Sequence, residues 1–126
     1  MKLRDDGGSA VAEFVMVSGL LTMLTLGVLQ LGLALLVRNT LIDAAAEGAR
    51  FGALADNSPA DGVERTQQLI AVALGERYAD DVSSDADSYL GHPALVITVV
   101  APLPLAGLLG PTVLEVSGHA AVESLQ

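Results

Sequence analysis

The stretch that decides the fold is Phe14-Val15-Met16-Val17-Ser18-Gly19-Leu20-Leu21-Thr22-Met23-Leu24-Thr25-Leu26-Gly27-Val28-Leu29-Gln30-Leu31-Gly32-Leu33-Ala34-Leu35-Leu36-Val37, closed by Arg38-Asn39. It holds twenty-four residues, nine of them Leu and none formally charged. As a helix it is about 36 Å long, enough to cross a hydrocarbon core of roughly 30 Å with some tilt. Leu, Val and Phe take fourteen of its positions. At about −0.3 to −0.6 kcal/mol each they favour insertion by roughly 4–8 kcal/mol. Ser18, Thr22, Thr25 and Gln30 do not cancel this, because hydroxyls bond their own helix carbonyls. A buried core helix is the competing reading, but 126 residues are too few to wrap so long an uncharged run. A cleaved secretory signal also competes, with Lys2 and Arg4 as a basic start and Ala44-Ala45-Ala46 as a cutting site. Its apolar region runs to only about 7–15 residues, so the length favours a retained anchor.

Around this span the composition is coherent. The chain is 52% apolar with only four aromatic rings, Phe14, Phe51, Tyr78 and Tyr89, so its apolar residues are not those of an ordinary globular interior. Six basic against fifteen acidic residues leave a net charge of −9, which argues against nucleic-acid binding. There is no cysteine, hence no disulfide framework or thiolate metal site. Lys2 and Arg4 are followed by Asp5 and Asp6, and Arg38 and Arg50 lie beyond the span. The charge bias is small and favours a cytoplasmic N-terminus with a translocated acidic C-terminal part.

The N-terminal flank reads Gly7-Gly8-Ser9-Ala10-Val11-Ala12-Glu13-Phe14, a lone carboxylate at the edge of the apolar run. An ionisable group there marks a functional position by default. The plain alternative is a carboxylate favoured by the helix macrodipole, at about 0.3–1 kcal/mol. Gly, four small or apolar residues, Glu-Phe and an apolar helix together resemble the processing site of type IV pilin-like proteins. The resemblance implies cleavage after Gly8 by a membrane prepilin peptidase, with Ser9 as the new terminus and Glu13 as its fifth residue. It also implies that Glu13 pairs with the terminal amine of a neighbouring subunit, which would lower the cost of burying both charges.

Beyond the span, residues 39–53 are Ala-rich and free of Pro, so the helix is expected to continue to about Ala55. Glu47 and Arg50 are three apart and can pair, and Ile42, Ala45, Ala46 and Ala49 form a shallow apolar stripe. Gly48 and Gly52 have the spacing of a close helix approach, either toward a partner pilin or toward the chain's own C-terminal part. The processing site, the Leu-rich span, the Arg-Asn flank and the stretch ending Glu47-Gly48-Ala49-Arg50 together resemble a TadE-like protein. These are small pseudopilins of the tight-adherence (Flp, type IVb) pilus system. The resemblance covers residues 7–55. It implies a minor component of pilus assembly whose partners are the prepilin peptidase, other pilins or pseudopilins and the inner-membrane assembly platform.

In the C-terminal part, Ser58 with Asp61 reads as a capping pair and Pro59 as a first helical residue, opening a helix to about Tyr78 or Ala79. Asp80 to Gly91 is polar and acidic and reads as a loop. Ala94 to Ala101 is β-branched and reads as a strand stopped by Pro102 and Pro104. Leu105 to Gly110 reads as a hydrophobic loop. Thr112 to Ser124 reads as a second strand, with Val113, Glu115, Ser117 and His119 on one side and Leu114, Val116 and Gly118 on the other. Asp81, Ser83, Asp85 and Asp87 alternate like calcium ligands, but Ala86 and His92 occupy positions where such a loop needs Gly and Glu. His92 and His119 have no third ligand in the pattern, and no nucleophile elbow or phosphate loop is present.

The expected chain is therefore α+β. Residues 1–8 form a leader, 9–37 a membrane-spanning helix, 38–56 a helical stem, and 57–126 an acidic cap of one helix and a two-stranded or slightly larger antiparallel sheet. Membrane lipid is a partner, no cofactor or metal is called for, and no enzyme is indicated. Ser18, Thr22, Thr25 and Gly32 supply a small, weakly polar face along the span for another pilin helix. The rival readings are an envelope binding module tethered by an uncleaved anchor, and a secreted protein freed by signal peptidase.

Overall fold

The computed structural model describes residues 2–103 and 113–122. One unbroken helix, α1 (Lys2–Gly52), runs for 51 residues, about 76 Å at 1.5 Å per residue. No Pro occurs in it, and no described residue before Val37 is buried. From Val37 onward a buried stripe follows the helical repeat through Leu41, Ala44, Ala45, Gly48, Ala49, Gly52 and Ala53. The same helix is thus a bare apolar rod in its first part and one side of a hydrophobic core in its last.

After a turn, α2 (Pro59–Leu74) opens on the expected capping box: the Ser58 hydroxyl accepts from the Asp61 N–H at 3.3 Å, and the Asp61 carboxylate accepts from the Ser58 N–H at 2.8 Å. Helix α2 stops at Leu74, short of the Tyr78 or Ala79 expected, because Gly75 turns into left-handed backbone with φ 104°. A short 3-10 turn, η1 (Glu76–Ala79), follows it. Three antiparallel strands, β1 (Asp81–Tyr89), β2 (His92–Pro102) and β3 (Val113–Ala121), pair in the order β1-β2-β3. The sheet is thus a meander.

Two further expectations change. The segment from Asp80 to Gly91 is a strand and a hairpin turn rather than a loop, with Asp81 opposite Val100 and Tyr89 opposite His92. Its polar residues are tolerated because β1 is an edge strand whose side chains stay largely in water, where alternating Asp also discourages pairing with a further strand. The stem helix ends at Gly52 rather than Ala55. The hydrophobic loop Leu105 to Gly110, Thr112 and residues 123–124 lie outside the described residues.

The sheet lays its inner face on α1 and α2. Leu95, Ile97, Val99 and Ala101 of β2 and Val116 of β3 are buried there with Leu41, Ala45 and Ile70. Leu41, Ile70, Ile97 and Val99 are fully enclosed, each worth about 1.5–3 kcal/mol of burial. On β3 the inward residues are Leu114, Val116 and Gly118, as the alternation predicts.

Candidate membrane span and packing faces

Glycine makes the joint between stem and cap. A Cβ built on Gly48 would lie 2.7 Å from the Gly62 carbonyl oxygen and would overlap the Thr66 hydroxyl. One on Gly52 would lie 2.9 Å from the Gly62 Cα and 2.7 Å from the Leu95 Cδ2. On the sheet side, a Cβ on Gly118 would fall 2.7 Å from the Ala46 Cα. Helix α1 is therefore in backbone contact with α2 on one flank and with β3 on another. Thr66, fully buried, spends its hydroxyl locally by donating to the Gly62 carbonyl at 2.8 Å, with the Ala44 carbonyl at 3.5 Å. The G-x-x-x-G spacing of Gly48 and Gly52 thus serves the chain's own α2, and both residues are buried. Gly62, Thr66 and Gly118 complete this joint and were not singled out by sequence reasoning. For Gly118 a signal existed, since a Gly inside a strand often marks the close approach of another backbone.

The lower part of α1 presents a different surface. Gly7–Gly52 contains an 18-residue window of mean hydropathy 2.3 that is only 6% buried, the kind of helix that anchors a chain in a membrane. Leu20, Leu24, Leu29 and Leu36 are all more than half exposed. Thr22 donates to the Ser18 carbonyl and Thr25 to the Leu21 carbonyl, each at 2.8 Å. The hydroxyls are therefore satisfied inside their own helix and add little cost to burial in lipid. Gly32 has nothing within 4 Å of a built Cβ. At about 100° per residue, the stripe Ser18, Thr22, Thr25 and Gly32 lies roughly 150° around the axis from the stripe buried by the cap. It faces the opposite way from the cap.

The predicted processing residues sit at the start of this rod. Gly8 and Ser9 are helical and exposed, nothing lies within 4 Å of a Cβ on Gly8, and Phe14 is 72% exposed. Glu13 is exposed and, among the described residues, makes no ion pair. Gly7 and Gly8 each weaken the helix by about 1 kcal/mol relative to Ala, so this is where it is easiest to unwind.

Elsewhere the surface carries shallow grooves. One, between the α1–α2 turn and the first hairpin, is lined by Gly52, Leu54, Asn57, Ser84, Ala86 and Leu95. Another lies where Thr40, Asp43 and Glu47 of α1 face Leu69 and Ala73 of α2. Asp81, Ser83, Asp85 and Asp87 lie along one face of β1, extended rather than curled around a cation, and no metal-binding cluster occurs among the described residues. His92 begins β2 and His119 lies in β3 opposite Val96. Glu47 and Arg50 pair at 3.4 Å on the surface, as their spacing predicts.

Set against known proteins, residues 8–50 match the family model described as TadE-like protein. The match ends within the stem and leaves the cap outside it. No curated protein and no solved structure matches the chain.

Proposed function

We propose that the chain, whose residues 8–50 match the TadE-like family model and whose N-terminal helix is long and apolar, is a membrane-anchored minor pilin or pseudopilin of the tight-adherence pilus system. It acts by packing of subunits in and above the membrane rather than by catalysis. The observation that carries the reading is the direct junction, within the matched segment, of Gly8-Ser9, Glu13 and a bare uncharged helix. In this reading a prepilin peptidase cuts after Gly8, and the Gly7-Gly8 pair lets the helix unwind to enter a narrow active site. Ser9 becomes the terminus, and its new amine lies within a turn of Glu13 or of a neighbour's Glu13. The N-terminus is cytoplasmic and the cap extracytoplasmic, in a single-pass inner-membrane protein. The stripe Ser18, Thr22, Thr25 and Gly32 meets the helix of another pilin, an approach the cap leaves open because it sits on the other side of α1.

Intact mass and N-terminal sequencing of the protein, co-expressed with its cognate peptidase, test the proposal. A chain beginning at Ser9 supports it. Met1 retained under those conditions points to the tethered binding module, and a start near Glu47 points to a secreted protein.

A further inference from the structure

Three independent registers locate the end of the cap nearest the span. Gly118 lies against Ala45 and Ala46, and His119 to Ala121 share a groove with Arg50, Ala53 and Leu54, so β3 runs in the same sense as α1. Val113, five residues earlier in β3, is displaced toward the span by up to about 17 Å, the rise of roughly eleven helical residues. Strand β2 gives the same level: Leu95 touches Gly52, and Pro102 lies seven residues further toward the span. Helix α2 also returns that way, with Thr66 against Ala44, Ala73 beside Thr40, and Gly75 beyond. The rim formed by Gly75, Pro102, Leu103 and Val113 is therefore level with Val37, the first buried residue of α1 and the last of the uncharged run. No spacer separates cap from span.

The headgroup layer of a bilayer extends roughly 5–8 Å beyond the hydrocarbon on each side, so a membrane holding Val37 reaches this rim. The two corners of the rim differ in charge. At the η1 corner stand Glu76, Arg77, Asp80 and Asp81. At the β2–β3 corner Val113 is 64% exposed, Pro102 and Leu103 are half-buried, and the described residues of the two strands there, Val96 to Leu103 with Val113 and Leu114, carry no charge. We propose that this β2–β3 corner rests in the headgroup layer of the bilayer that α1 spans, giving the cap a second contact with lipid and leaning it toward that side. The carboxylates of the η1 corner stay in water, where their hydration is kept. This rests on the reading of residues 14–37 as a bilayer span.

The chain has no cysteine, so single labels can be placed cleanly. Val113→Cys, Leu90→Cys and Leu26→Cys variants, each carrying an environment-sensitive fluorophore, are reconstituted in vesicles containing phospholipids spin-labelled either at the headgroup or deep in the acyl chain. Leu90, 83% exposed at the far hairpin, is the distal control, and Leu26 reports the span. The expected result is deep quenching at position 26, and shallow quenching at position 113 several-fold stronger than at position 90. Deep quenching at 26 with position 113 no more quenched than 90 overturns the lipid contact and leaves the span intact. Absence of quenching at 26 removes the span and the lipid contact together.

Discussion

Replacing Gly48 by Ala tests the joint that fixes the cap to the stem. The added methyl would sit 2.7 Å from the Gly62 carbonyl oxygen and 3.0 Å from the Thr66 Cβ, and would overlap the Thr66 hydroxyl. Three terms compete. Ala gains about 1 kcal/mol of helix propensity over Gly. Spreading α1 from α2 to relieve the overlap costs about 1–3 kcal/mol as overpacking. Turning the Thr66 hydroxyl away from the Gly62 carbonyl, which it bonds at 2.8 Å in a site closed to water, costs about 1 kcal/mol more. The steric terms win, and the cap is expected to lose about 2 kcal/mol, or roughly 30-fold in its opening equilibrium. Amide hydrogen exchange of Ile97 and Val99 in bilayer-reconstituted protein reads this directly, since exchange of core amides follows the opening free energy. Gly27→Ala, at a position with nothing within 4 Å, is the control and leaves those amides unchanged. Adding Thr66→Ala to Gly48→Ala should restore part of the loss, because the overlapping hydroxyl is gone. If Gly48→Ala leaves exchange at Ile97 and Val99 unchanged or slows it, the close approach of α1 and α2 is not what holds the cap in place.

Three further outcomes are expected. Leu90 occupies left-handed backbone, φ 53°, ahead of Gly91 at φ 80°, so Leu90→Asn should raise cap stability by roughly 0.5–1 kcal/mol, seen as a higher thermal midpoint; a lower one would exclude strain at this turn. Ser58→Ala removes the hydroxyl half of the capping box and should cost about 1 kcal/mol in the same melt, while Ser58→Asp should cost far less. Substituting Thr25 and Gly32 together by Leu should weaken cysteine crosslinking between spans of co-expressed pilins without shifting the thermal midpoint of the cap. Unchanged crosslinking would rule out that stripe as the packing face.

Periodicity carried most of the architecture. The uncharged run from Phe14 to Val37 specifies its helix by length and composition alone, and the Ser58-Pro59-Asp61 punctuation places the start of α2 because capping is a local interaction. What escaped was decided by partners distant in sequence. Strand β1, Asp-Val-Ser-Ser-Asp-Ala-Asp-Ser-Tyr, has little intrinsic strand preference and exists because β2 offers it a full ladder of hydrogen bonds. Its turn, Leu90-Gly91, lacks the usual Asn or Asp ahead of Gly and so gave no hairpin signal. The apolar helix and the TadE-like resemblance were legible since both lie within one short segment. The joint was only half legible: Gly48 and Gly52 declared a close contact, but the partner, Gly62 with Thr66, is named by the fold alone.

The continuity of α1 has a mechanical consequence. With no Pro or break between Lys2 and Gly52, and with Gly48, Gly52 and Gly118 locking the cap against its last turns, span and cap move as one lever. With residues 14–37 in a bilayer as proposed, the stretch from Arg38 to Gly52 raises the end of the cap where Leu95 meets Gly52 about 22 Å beyond the span. Each degree of tilt imposed on the span therefore carries that end sideways by about 0.4 Å over that arm. A thinner bilayer, or a neighbour pulling on the span, is thus reported as a displacement of the surface that faces away from the membrane.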